Sequence, residues 1–241
     1  MTSVSIVIPM RNEADNIAPL IAGIAEACAG LEDYEIIVVD DGSTDATAAN
    51  VRDLGGAYPL RLIRHDRSGG QSAAVHSGVL AARAPLVCTL DGDGQNPPDE
   101  LPKLFQPLMQ DETGRIGLVA GQRVGRRDTV SKRLASRFAN WLRGRLLKDG
   151  TRDTGCGLKG FRREAFLRLP YFDHMHRYLP ALFKRDGWEV RLVDVAHAER
   201  QAGRSNYSNL QRGLVGIYDL IGVAWLIRRR KKAAPVEEPG A

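Results

Sequence analysis

Cysteine is nearly absent from this chain: three in 241 residues, at positions 28, 88 and 156. The number is odd and no pair has C-x-x-C spacing, which excludes a disulfide framework and a zinc ribbon. No signal peptide precedes the first apolar run, so a reducing cytoplasm is the expected compartment. Aromatic residues make up only 6% and do not alternate with the basic runs, as a groove for single-stranded nucleic acid would need. No nucleic-acid partner is expected. A long hydrophobic stretch is missing too: the most apolar segment, Leu214 to Ile227, has 14 residues and is interrupted by Asp219, short of the about 20 needed to span a bilayer. Glycine is lacking where a dinucleotide-binding fold needs it, because the turn Met10-Arg-Asn-Glu-Ala-Asp15 after the first strand has none.

What is present fits one α/β domain with an appendage. Hydrophobic residues at 43% and charged residues at 26% are ordinary for a globular chain of this length. The net charge of +5 is unevenly spread: nine Lys/Arg stand against one Asp between Gln122 and Lys148, and Arg228 to Lys232 are five consecutive cations. Anionic partners are implied.

The stretch Val87-Cys-Thr-Leu-Asp-Gly-Asp-Gly-Gln-Asn-Pro-Pro98 organises the rest. A buried strand runs into a Gly-rich turn, where Asp91 and Asp93 can converge and Gln95 adds a neutral oxygen. Two carboxylates and an amide suit Mg²⁺ or Mn²⁺, which take remaining ligands from water and substrate phosphates. The plainer alternative is a solvated Asp-Gly turn between a strand and a helix capped by Asp99.

Around this corner the spacing predicts strands over residues 3–9, 34–40, 60–64, 85–90 and 116–120, with helices over 12–29 and 72–82. The alternation predicts a mostly parallel sheet with flanking helices. In such sheets ligands sit beyond the carboxyl ends of the strands. Asn12 and Glu13 after the first strand, Asp41 after the second, and the acids after the fourth therefore face one crevice. Asn12 and Glu13 have helix capping as an alternative role, and Ser43 and Asp45 are expected to cap the next helix. Arg67 and Gly69, in His65-Asp-Arg-Ser-Gly-Gly-Gln71, could approach a pyrophosphate.

Val7-Ile-Pro-Met-Arg-Asn-Glu13, Val39-Asp-Asp-Gly-Ser-Thr-Asp45 and Leu90-Asp-Gly-Asp-Gly-Gln-Asn-Pro-Pro98, in this order, resemble the family 2 glycosyltransferases of GT-A fold. Within them the chain is similar to the polyprenyl-phosphate, dolichol-phosphate mannosyltransferase-like branch, over about residues 3–207. The resemblance implies that Pro9, Glu13 and Asp41 line a nucleotide pocket, and that Asp91, Asp93 and Gln95 hold Mg²⁺ or Mn²⁺ on a nucleotide-sugar diphosphate. It also implies that Arg123, in Gly121-Gln-Arg123, meets the donor phosphates, and that Lys132 and Ser136 meet the acceptor phosphate. Lys132, Ser136 and Asn140 share one helix face over Thr129 to Leu147. For Arg143, Arg145 and Lys148 a solvated face or a membrane-surface role is expected.

Asp153-Thr-Gly-Cys-Gly-Leu-Lys-Gly-Phe-Arg162 is similar to a further family element, whose glycines permit close backbone approach. Cys156 is expected to be a packed small residue, and His174 and His176 surface histidines at a helix start. His197 to Tyr207 resembles the family's loop over the bound donor, in which Arg200 neutralises the diphosphate and Ser205 belongs to the same motif. Asn206 and Arg204 depart from it, standing where the family usually has Lys and Glu.

The expected organisation is a catalytic domain over 1–207, an amphipathic, membrane-associating helix with a polybasic end over 208–232, and a disordered tail over 233–241. That helix reads as interfacial, with its cations on anionic lipid; the alternative packs it on the domain or on a second copy, giving a homo-oligomer. The implied reaction is inverting, metal-dependent transfer of a sugar from GDP-mannose or a UDP-hexose to a polyprenyl phosphate at the cytoplasmic face of the membrane. Asp93 and Arg200 act at the donor, and Lys132 with Ser136 positions the acceptor. Were the acceptor a sugar hydroxyl, as in cell-envelope polysaccharide synthesis, Asp153 would be the candidate base. A non-catalytic basic adaptor would explain the cations but not acids at successive strand ends.

Overall fold

A computed structural model of the chain describes residues 3–124, 143–198, 209–231 and 233, with only the backbone of 209–215. The β-branched run Val4–Met10 forms β1, followed by α1 (Ile17–Ala27), β2 (Tyr34–Asp40), α2 (Thr47–Leu54), β3 (Leu60–Arg64), α3 (Gln71–Ala81), β4 (Leu86–Thr89) and α4 (Pro102–Met109). The second half contributes β5 (Ile116–Arg123), β6 (Lys159–Arg162), α5 (Arg163–Leu167), α6 (Leu179–Arg185), β7 (Glu189–Val195) and α7 (Asn209–Arg228). The five anticipated strands are all present. The first long helix begins at Ile17 rather than residue 12, because Asn12 adopts a left-handed backbone (φ 55°) and residues 14–16 form a tighter turn. The last helix extends over 20 residues.

The strands form one seven-stranded sheet in the order β3-β2-β1-β4-β6-β5-β7. Pairings are parallel except where β6 inserts antiparallel between β4 and β5. β1 and β2 are buried on both faces, which is why they read as unbroken apolar runs rather than alternating ones. One face of the sheet packs Ile6 and Ile8 of β1 against Ile17, Ile21 and Ile24 of α1 and Leu104 and Leu108 of α4. The other packs Val7, Ile37 and Val39 against Val75 and Val79 of α3, Phe183 of α6, and Leu220 and Val223 of α7. α3 lies so close to the sheet that a Cβ at Gly78 would stand 2.3 Å from Val7.

This order places a topological switch at β1: the chain leaves it toward β2 on one side and returns to β4 on the other. Loops from adjacent strand ends diverge there and leave a crevice.

Candidate active site

The crevice at the carboxyl ends of β1, β2 and β4 is a pocket of about 370 Å³ lined by Pro9, Met10, Arg11, Glu13, Asp41, Gln71, Ala74, Asp91, Gly92 and Asp93. Five sequence-derived site residues thus meet in one place: Pro9, Glu13, Asp41, Asp91 and Asp93. Gly92 lets the acidic turn settle on β1, since a Cβ there would come within 2.5 Å of Met10.

Asp91 is held from two sides. Its Oδ1 accepts a hydrogen bond from Gln71 Nε2 at 2.6 Å. Its Oδ2 lies against Gly157, where an added Cβ would be 2.3 Å away. The Gly157 carbonyl is held in turn by Thr89 Oγ1 at 2.7 Å, so the close backbone approach expected of these glycines is realised at Gly157. Burial first, then the like charge of Asp93, pushes the Asp91 carboxyl above the usual carboxylate range. A bound cation would relieve both effects.

Among the described residues no three His, Cys, Asp or Glu side chains are grouped to hold a metal ion. The pocket offers Asp91 and Asp93, a donor set that suits a hard cation completing its shell from a diphosphate and water. Gln95 is outside the pocket lining; its N–H donates to Asp93 Oδ1 at 3.2 Å and its carbonyl accepts from Ala198 N at 3.0 Å.

Asp41 has a different use. Its four acceptor positions are filled by Ser68 Oγ (2.7 Å), Gly69 N (2.8 Å), Gly70 N (2.9 Å) and the His65 ring (2.7 Å). Burial presses this carboxyl upward, but the hydrogen bonds from Gly69, Ser68, His65 and Gly70 outweigh it and hold it below the usual range. Asp41 therefore moulds the 65–70 loop into a wall of the pocket, which gives Gly69 its place; the Arg67 side chain is exposed to solvent. Gly42 (φ 71°) is needed beneath that loop, since a Cβ would meet Ser68 N at 2.8 Å.

Asn12 accepts from Thr44 N at 2.9 Å and its own N–H donates to Ser43 Oγ at 2.9 Å, stitching the β1 loop to the β2 loop. Glu13 lines the pocket and accepts from Asn16 Nδ2 at 2.6 Å. Asp45 takes the Thr47 N–H at 2.9 Å, the capping role expected of it.

Arg123 grips Asp153 with two prongs, Nε to Oδ2 at 2.5 Å and Nη2 to Oδ1 at 2.9 Å. Burial opposes ionisation of Asp153, but Arg123 outweighs it and holds the carboxyl low. An acid so paired is a poor proton acceptor, which disfavours the base role considered for it. Gln122 fixes the same loop, its Oε1 accepting from Arg152 N at 2.8 Å and Asp153 N at 3.0 Å.

Two residues at the acidic corner were not singled out from sequence. Gln71 closes the segment that holds Arg67 and Gly69 and has no site role among the expectations, although it follows the Gly-Gly pair that leads into α3. Lys159 is buried, donates to the Cys156 carbonyl, and has Asp91 among its charged surroundings; burial lowers its pKa. Cys156 is packed inside as expected, and burial pushes its thiol up. Lys132, Ser136, Asn140, Arg200, Arg204, Ser205 and Asn206 lie outside the described residues.

Three expectations need correction. Arg143 is neither solvated nor at a surface: it is buried, ion-paired with Asp149 and set over the Tyr178 ring at 5.7 Å. Arg145 and Lys148 are exposed. His176 is enclosed against α3, its Nδ1 2.7 Å from Ser72 Oγ, and burial drives its pKa well below the ordinary value. His174 is partly buried, its Nδ1 3.0 Å from Asp219 Oδ2 on α7.

Known proteins share this architecture. Mannosyl-3-phosphoglycerate synthase from Rubrobacter xylanophilus superposes with a TM-score of 0.70 at 20% identity, over 100% of this chain and 78% of that one. Glucosyl-3-phosphoglycerate synthase from Mycobacterium tuberculosis, crystallised with Mn²⁺, UDP and glucosyl-3-phosphoglycerate, gives 0.70 at 21% identity, over 94% and 80%. These likenesses establish the GT-A fold. In sequence, the chain is 34% identical to dodecaprenyl-phosphate galacturonate synthase of Rhizobium johnstonii, over 95% of this chain and 68% of that protein. It is 35% identical to undecaprenyl-phosphate 4-deoxy-4-formamido-L-arabinose transferase of Yersinia pestis, over 90% and 66%. The chain thus spans about two thirds of the length of these relatives. The family model "Glycosyl transferase family 2" matches residues 5–169, which carry the strand ends, the acidic corner and the glycine loop just described, and the chain belongs to that family.

Proposed function

We propose that this glycosyltransferase moves a sugar from a nucleotide-sugar, GDP-mannose or a UDP-hexose, to a polyprenyl phosphate, with inversion at the anomeric carbon. The observation that carries the reading is the pairing of Asp91 with Asp93 in a pocket at the sheet's switch point, where burial and like charge disfavour ionisation of Asp91. The names of the relatives, a dodecaprenyl-phosphate synthase and an undecaprenyl-phosphate transferase, support the lipid phosphate as acceptor.

Asp91 and Asp93, with Gln95 beside them, are the residues that would hold Mg²⁺ or Mn²⁺. A divalent cation held there would supply positive charge against the charge developing on the departing nucleotide diphosphate. The chain supplies the rest. Pro9, Glu13 and the loop shaped by Asp41 wall the nucleotide side. Gln71 and the bare backbone of Gly157 fix the orientation of Asp91. A lipid phosphate is already an anion at neutral pH, so the acceptor needs positioning groups rather than a base; Lys132 and Ser136 are proposed for that task, and Arg200 and Arg123 for the donor phosphates. Ionisation of Asp153 against Arg123 agrees with a mechanism that does not ask it for proton transfer. In this reading residues 1–207 are the catalytic unit and 208–232 a membrane-associating segment, working at the cytoplasmic face where the acceptor's phosphate lies.

The test is nucleotide release from a panel of GDP- and UDP-sugars with Mn²⁺ or Mg²⁺ and a short polyprenyl phosphate, for wild type and Asp93→Asn. Release that needs both metal and lipid phosphate, and falls at least a hundredfold in the variant, is expected. Turnover with a soluble sugar hydroxyl and none with the lipid phosphate would overturn the acceptor assignment.

A further inference from the structure

The first turn of α3 brings Gln71 to Asp91, yet it has no side-chain cap of its own. Gly70 stands at the cap position with φ 85° and offers nothing to the free N–H groups of the turn, where Ser, Thr, Asp or Asn would ordinarily supply an oxygen. A helix end left this way frays. The hold on it comes from elsewhere in the chain: the buried Ser72 hydroxyl lies 2.7 Å from His176 Nδ1 and accepts the His176 N–H at 3.2 Å.

His176 belongs to the tight turn Met175–Arg177, and Met175 is buried in the same core as Val75 of α3 and Leu220 and Val223 of α7. The residue that enters this turn, His174, has a left-handed backbone with φ 64°. A residue other than glycine keeps that conformation only where its surroundings fix it. Two bonds do so here: the His174 N–H donates to Asp173 Oδ1 at 2.8 Å, and its ring Nδ1 lies 3.0 Å from Asp219 Oδ2 on α7. Asp173 is an exposed chain neighbour, whereas Asp219 sits on a helix that is docked independently, through Leu220, Val223 and the Leu226 carbonyl that accepts from Arg185 Nε at 3.0 Å. Asp219 is therefore the fixed end of the series.

We propose that His174 and Asp219 are positioning residues for the acidic corner: Asp219 holds His174 in its left-handed turn, the turn holds Ser72 through His176, and Ser72 steadies the end of α3 from which Gln71 fixes Asp91. None of His174, His176 and Asp219 lines the pocket, so all three act through Gln71. Resting on the reading of Asp91 and Asp93 as the residues that would hold the cation, this gives α7 a share in shaping the active site that a division at residue 207 leaves out.

The experiment uses the whole chain and two readouts: Mn²⁺ affinity from paramagnetic resonance of the free ion, and hydrogen exchange of the metal-free protein. Asp219→Ala should weaken Mn²⁺ binding about threefold or more, the coupling expected within one hydrogen-bond network. In the metal-free state it should speed exchange of the Ala74 amide, which donates to the Gly70 carbonyl at 3.1 Å. His174→Asn should stay near wild type in both, because Asn tolerates the left-handed backbone and carries an amide nitrogen in place of Nδ1, whereas His174→Ala should match Asp219→Ala. In a Gln71→Leu background, where the series is already cut at its last bond, Asp219→Ala should weaken Mn²⁺ binding by less than about twofold further. Wild-type affinity and exchange in Asp219→Ala would overturn the proposal, and so would an equal loss with and without Gln71→Leu, which would mark general loosening of the fold. Equal Mn²⁺ binding by wild type and Asp93→Asn would instead remove the cation reading of the corner, and the metal-free exchange would then decide the coupling by itself.

Discussion

Gln71 Nε2 stands 2.6 Å from Asp91 Oδ1, joining the first residue of α3 to the acid at the end of β4. α3 is itself fixed at that end: Ser72 Oγ is 2.7 Å from His176 Nδ1, and Gly70, with φ 85°, turns the chain into the helix. The orientation of Asp91 therefore depends on the 172–178 segment as well as on its own loop.

Gln71→Leu keeps the volume and removes the donor. A hydrogen bond to a charged group is worth roughly 1.5–3 kcal/mol, so Mn²⁺ affinity, read by paramagnetic resonance of the free ion, should change by about tenfold or more at unchanged melting temperature. Unaltered affinity and turnover would remove Gln71 from the site.

Gly157→Ala places a methyl where Asp91 Oδ2 now lies, 2.3 Å from the new Cβ. Asp91 or the loop must move, and overpacking of this kind costs about 1–3 kcal/mol. Turnover should drop by two orders of magnitude or more while the protein stays folded by circular dichroism. Near-normal activity would mean that Asp91 needs no fixed position.

Asp153→Asn separates a structural from a proton-transfer role. The Arg123–Asp153 side chains are 14% and 17% exposed, and breaking a buried pair costs roughly 3 kcal/mol or more. The variant should melt several degrees lower, and Arg123→Gln should show a similar loss. Full stability with collapsed kcat and a lost acidic limb in the pH–rate profile would restore Asp153 as a base.

His176 gives the fold a mildly acidic weakness. Its folded pKa is depressed by burial, so below about 6.5 the unfolded chain takes up a proton that the folded one refuses. Stability present above that pH is lost as pH falls toward the folded value. The urea midpoint should decline between pH 7.5 and 5.5 for wild type and decline less for His176→Asn, although that variant is weaker at neutral pH. Parallel declines would assign the effect elsewhere.

The N-terminal half was legible because its signals are local. Each of β1, β2 and β4 is a short apolar run that ends at the residues forming the pocket, so strand, loop and site coincide in sequence. The second half hides its logic. β6 is four residues with a cation at each end, Lys159-Gly-Phe-Arg162, and only its neighbours β4 and β5 make it a strand. β7 is also missing from the anticipated strands: it mixes Glu189, Arg191 and Asp194 with its apolar residues and lies at the edge of the sheet, largely unburied. Asp219 looked like a flaw in an apolar run, and its partner His174 stands 45 residues earlier, beyond any local pattern. Arg143 looked like one more surface cation because the buried acid that receives it, Asp149, follows in a loop.

The insertion of β6 also sets a timetable for biosynthesis. β4 emerges from the ribosome well before the strand that will cover its far edge, and the Thr89 hydroxyl waits for a carbonyl 68 residues away. Until then the nascent chain displays an open, hydrophobic strand edge, a template for pairing with another chain. The same delay keeps Gly157 from Asp91, so a ribosome-bound first half carries both corner acids without the wall that orients them. Competence for chemistry arrives with the late strand, and a chain cut before Lys159 should aggregate rather than idle as an inactive domain.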